Sequence, residues 1–110
     1  MKGVQLRFYT CENRRTHGVL IHDWLLSTAR ASGVHGGTAT RAIAGFGRHG
    51  QMHEQHFFEL AGDVPVVVEF LLDEATCWQL LDRIAAENLS LLYSCTPVDY
   101  GVTGSLPAAD

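Results

Sequence analysis

The sequence predicts a single α+β domain in which two helices cover one face of a four-stranded antiparallel sheet. Three observations carry that prediction. Four segments have strand character and two have helical periodicity, and they alternate as β-α-β-loop-β-α-β. The third strand is apolar on both faces, so both must be covered. The 110 residues are 46% apolar and 18% charged, the balance of one globular domain.

Taken in order, Gly3–Thr10 is the first strand. Val4, Leu6 and Phe8 alternate with Gln5, Arg7 and Tyr9, the period-two pattern of a strand with one buried face. Cys11–Thr16 is polar and reads as a loop. His17–Ser32 reads as the first helix, with Leu20, Ile21, Trp24, Leu25 and Thr28 on one stripe and Gly33 ending it. On this helix Trp24 is assigned to the core, and His22 and Asp23 to the exposed edge. Thr38–Phe46 is the second strand, built of small or branched residues and stopping at Gly45-Phe46-Gly47. Residues 48–56 are polar without period and form a protruding loop, and His56–Leu60 is a short returning strand. Gly62-Asp63 is a turn signal.

Val64–Leu72 is the third strand, with Glu69 as its polar interior residue, expected to pair across a subunit boundary. Glu74–Glu87 is the second helix, burying Cys77, Leu80, Leu81 and Ile84. Asp73 stands at its N-cap, and Asn88 at its C-terminal stop. Leu89–Thr96 is the fourth strand, with Pro97 ending it or lying at an edge. This order is the ferredoxin-like one, with split βαβ units. Two helices cover one sheet face, so the two-sided third strand predicts that the other face packs on further copies, a trimer being the natural closed ring. The domain is expected over residues 1–101, with 102–110 as a flexible tail.

Composition narrows function. Net charge is −4 and there is no lysine or arginine block, which argues against nucleic-acid binding. The longest apolar run, Val64–Leu72, is far below the ~20 residues of a membrane span, and the N-terminal residues lack a secretory stretch. Cys11, Cys77 and Cys95 form no Cys-x-x-Cys pair and are odd in number. Reduced, mostly buried thiols in a cytoplasmic protein are the expectation.

The chemistry concentrates in Arg41-Ala42-Ile43-Ala44-Gly45-Phe46-Gly47-Arg48-His49-Gly50. A strand ends in Gly-x-Gly, whose backbone N–H groups can approach an anion closely, with cationic side chains beside it. Arg41, Gly45, Phe46, Gly47, Arg48 and His49 are the candidate ligand-binding residues. Arg48 would contact phosphate or carboxylate, and Phe46 would pack on a ring. His49, His53 and His56 are the alternative, a loop site for a divalent metal. Arg14 and Arg15 read as a solvated loop pair, from which an oligomer's cleft could borrow one. No nucleophile–base or paired-carboxylate constellation marks an enzyme.

Gly45-Phe46-Gly47-Arg48 followed by a polar loop resembles the base of the T-loop in PII signalling proteins. The whole chain is similar to a short bacterial PII-like subfamily, through Phe8-Tyr9-Thr10-Cys11-Glu12, Gly36-Gly37-Thr38, the Gly-Phe-Gly, loop residue His53 and Pro65–Val68. The resemblance runs from about Val4 to Gly101. It implies a ferredoxin-like homotrimer with adenine nucleotides (AMP, cyclic AMP, ADP or ATP) in clefts between subunits. It also implies a mobile loop, here 48–55, that docks on a membrane transporter or an enzyme. The chain departs from PII proteins in lacking the glycine- and lysine-bearing segment before the last strand and the Arg-x-Arg after it. Its loop is also shorter and has no tyrosine. A monophosphate, a cyclic nucleotide or another small anion fits the remaining positive charge better than a triphosphate.

Overall fold

The computed structural model describes residues 1–46 and 64–104. In chain order they form β1 (Lys2–Cys11), β2 (Arg15–Thr16), β3 (Val19–Leu20), α1 (Ile21–Ala31), β4 (Gly37–Arg41), β5 (Pro65–Leu72), α2 (Glu74–Ala86) and β6 (Leu92–Asp99). Four of the strands make one antiparallel sheet in the order β4-β5-β1-β6. Each helix therefore connects two strands that have a third lying between them, which is the split βαβ arrangement of the ferredoxin-like fold.

The core lies between one sheet face and the two helices. Val4, Leu6 and Phe8 of β1 stand opposite Leu72, Phe70 and Val68 of β5, and all six are buried. Ile21 and Leu25 of α1 and Cys77, Leu80 and Ile84 of α2 close over them. Phe8 meets Phe70 edge-on, with ring centroids 6.3 Å apart. Gly37 of β4 lies opposite Phe70, and a Cβ there would sit 2.4 Å from the Phe70 ring, so the edge strand reaches the core only because it has no side chain at this point. The other face carries Gln5, Arg7 and Tyr9 beside Leu71, Glu69 and Val67, with Leu92 and Ser94 of β6 alongside.

The helices end as their sequences direct. After α1, Gly33 (φ 93°) takes the left-handed conformation. Its N–H donates to Arg30 O while that of Val34 donates to Ala29 O, the Schellman pattern, and Val34 is buried. After α2, Asn88 does the same at φ 57°. At the start of α2 the Asp73 carboxylate accepts from the Thr76 N–H at 3.0 Å and from its hydroxyl at 2.7 Å. These two bonds hold the Asp73 carboxyl below the usual carboxylate range.

Five expectations need correction. The loop after β1 contains the β2–β3 hairpin, and its two-residue turn, His17 and Gly18, has positive φ at both positions, so α1 begins at Ile21, not at His17. His22 is largely covered instead of lying at the exposed edge, and its side chain is 19% exposed. The second strand stops at Arg41. The last strand starts three residues later than expected and runs on to Asp99; of the two expectations for Pro97, the edge position holds, since Pro97 lies within the edge strand β6. Glu69 pairs within its own chain, since Arg7 directly opposite donates to Glu69 Oε1 at 2.8 Å. That bond raises the Arg7 pKa further. The loop 48–56, the strand His56–Leu60 and residues 105–110 of the tail lie outside the described residues.

Candidate functional site

The site forms where the C-terminal end of β1 meets the N-terminal end of β5. Past β1, the Glu12 N–H donates to Val64 O at 2.8 Å. Past β4, the Ala42 N–H donates to Pro65 O, also at 2.8 Å. These two bonds extend the ladder beyond the regular strands and carry the segment 42–46 over the end of the sheet. Beneath it is a pocket of about 350 Å³. Tyr9, Val67 and Leu92 supply apolar surface from the sheet, Gly45 and Phe46 come from the segment after β4, and Arg14 from the loop before the hairpin. Gly45 lies close to the sheet, for a Cβ at this position would be 3.2 Å from Pro65 Cγ.

Arg14 is fixed at the wall by donating from Nη2 to Ser90 O at 3.1 Å, which ties the hairpin loop to the approach to β6. The hairpin is tied a second time by His17, whose Nε2 lies 2.7 Å from Glu87 Oε1 at the end of α2. Among the described residues of the lining, Arg14 is the cationic side chain and there is no carboxylate. The arrangement offers apolar surface, the two aromatic rings of Tyr9 and Phe46 and a positive charge held at the wall, chemistry suited to an organic anion.

Of the residues singled out in the sequence, Gly45 and Phe46 line this pocket. Phe46 is exposed. Arg41 does not line it; it pairs with Glu12 at the pocket's edge. Gly47, Arg48, His49, His53 and His56 lie outside the described residues. Among the described residues, no three histidine, cysteine or acidic side chains converge to hold a metal ion. Sequence reasoning read Arg14 with Arg15 as a solvated loop pair, one of which a cleft could borrow, and did not single it out as a binding residue. The pair Arg14-Arg15 next to Glu12 was its trace in the sequence, but spacing alone does not say that Ser90, before β6, comes close enough to hold it.

The fold is that of PII-like proteins. The chain is similar to CPII of Thiomonas intermedia K12 in a structure bound to ADP and bicarbonate, with TM-score 0.67, 16% identity and coverage of 93% of this chain and 91% of that one. It is also similar to a PII-like signaling protein of Thermus thermophilus, with TM-score 0.61, 13% identity and coverage of 89% and 88%. No helix among the described residues is long and apolar enough to cross a membrane. In sequence, the chain is 32% identical over 92 residues to a UPF0166 protein of Aquifex aeolicus, covering 84% of this chain and 88% of that one. The family model described as DUF190, Uncharacterized ACR, COG1993, matches residues 3–99, and the chain belongs to that family.

Proposed function

We propose that this chain is a cytoplasmic PII-like regulatory protein that binds a small organic anion, an adenine nucleotide, in the pocket beneath Gly45 and Phe46. The observation that carries this reading is the pocket itself. An aromatic ring and apolar sheet residues face a fixed Arg14, and no carboxylate among the described lining residues opposes an anion. CPII, which shares the fold, has been solved bound to ADP, AMP and bicarbonate. The ligand's base would pack against Phe46, Val67 and Leu92, with its phosphate toward Arg14.

The exposed sheet face supports assembly into a homotrimer, which would place these pockets near subunit boundaries. Control of a partner transporter or enzyme through loop 48–55 completes the reading, because Gly45 and Phe46, which line the pocket, shortly precede that loop in the sequence. A ligand that orders the loop would change the surface offered to the partner.

The test is calorimetric titration of the purified chain with AMP, cyclic AMP, ADP and ATP, with and without divalent metal. Saturable binding near one site per chain is expected, and Arg14→Ala should weaken it by about tenfold or more, as loss of a charge-assisted hydrogen bond does. No heat from any nucleotide would overturn the reading. Heat from zinc or copper alone would move the function to His49, His53 and His56.

A further inference from the structure

Two of the three cysteines meet across the core. Cys77 sits on the inner face of α2 and is fully buried. Cys95 sits on β6 opposite Leu6, so it faces the helices, and it is partly exposed. Their Sγ atoms are 3.8 Å apart, in direct contact, although the residues are 18 positions apart in sequence. Both are thiols. Cys11 stands opposite Pro65 on the other face of the sheet, away from this contact.

We propose that Cys77 and Cys95 form a two-electron redox site that closes to an intrachain disulfide when the protein meets a hydroperoxide. Closure needs the sulfurs to approach by a little under about 2 Å, within reach of side-chain rotation and a small shift of an edge strand. The partner that starts the reaction is Cys95. It belongs to the more exposed of the two residues, whereas burial pushes the Cys77 thiol up to about 12 and keeps it protonated. The Cys95 thiolate attacks one peroxide oxygen. The O–O bond breaks, an S–O bond forms, and the departing oxygen leaves as water or an alcohol after taking up a proton. The Cys77 sulfur then attacks the Cys95 sulfur. The S–S bond forms as the S–O bond breaks, and the hydroxyl departs as water with the proton that Cys77 releases. Two thiols and one hydroperoxide thus give one disulfide, one water and one alcohol, or two waters when the oxidant is hydrogen peroxide.

The product pins α2 to β6. That strand is an edge strand, bonded to the sheet through β1 alone among the described strands. The site is independent of any nucleotide and stands or falls apart from the pocket.

The experiment treats the full chain with hydrogen peroxide, alkylates it under denaturing conditions and reads intact mass and peptide masses. The expected result is that two of the three thiols become unavailable to alkylation, with a loss of about 2 Da. A single linked peptide should join Cys77 to Cys95, and dithiothreitol should reverse the change. Cys11→Ser should give the same product, and Cys95→Ser should give none. If the treated wild-type chain keeps all three thiols, links through Cys11, or carries sulfinic acid at Cys95 without a crosslink, the proposal fails. The wild-type result alone decides it, so the proposal does not depend on any variant folding.

Discussion

The two faces of the four-stranded sheet are built from the same strands and yet are finished differently. On β1, Leu6 and Phe8 are sealed beneath the helices, while Tyr9, the residue after Phe8, is 37% exposed on the opposite side. On β5, Val68, Phe70 and Leu72 are buried, while Leu71 between them is 43% exposed. The helix-covered face is completed by the chain itself. The open face mixes exposed apolar side chains with the Arg7–Glu69 pair and the contact of the Tyr9 hydroxyl with Ser94. The contrast teaches that alternation along a strand divides its work: one set of residues builds the core, and the next set is left on the open face.

That division can be broken first on the closed face. Phe8→Ala removes a ring packed edge-on against Phe70 and should cost about 3–5 kcal/mol, read as a lowered denaturation midpoint with an unchanged slope. A smaller effect is expected at the helix end that supports this face. Asp73→Ala loses the cap on Thr76 and should cost about 1 kcal/mol at neutral pH. Because the folded carboxyl titrates below its unfolded value, this stabilisation is complete above the unfolded value of 3.8 and is lost as pH falls through the lowered folded one. The gap between wild type and variant should therefore close in acid, whereas Asp73→Asn, which keeps an acceptor, should unfold like wild type at neutral pH. The smallest effect on the fold is expected on the open face. Leu71→Asp should change the stability of the isolated chain by less than about 0.5 kcal/mol. If that face makes the proposed trimer, the same substitution should convert trimers to monomers in sedimentation. An unfolded variant would show that this face contributes to the core, and an intact trimer that assembly uses another surface.

Much of this was legible in the sequence. The alternation of Val4, Leu6 and Phe8, the Ile21, Leu25 and Thr28 part of the α1 stripe, and the stops at Gly33 and Asn88 follow from local periodicity and backbone freedom, whereas Leu20, counted with that stripe, ends β3. The β2–β3 hairpin was not legible, because two-residue strands are too short to show a period and His17 in a left-handed turn carries no strong sequence signal. Within the site, Gly45 and Phe46 were legible as a Gly-x-Gly strand end, and both line the pocket. Arg41, chosen by its nearness in sequence, is instead held by Glu12.

By itself, the sequence determined the four sheet strands, the two helices and their order, and the inward residues of β1, because these depend on the spacing of apolar side chains over a few neighbours. Tertiary structure alone decided which distant residues meet. The Arg7–Glu69 pair depends on the register of β1 against β5, the seat of Arg14 on how β6 is approached, and the contact of Cys77 with Cys95 on the packing of α2 over an edge strand. Register and helix packing are set by the whole core at once, so no local pattern in the chain encodes them.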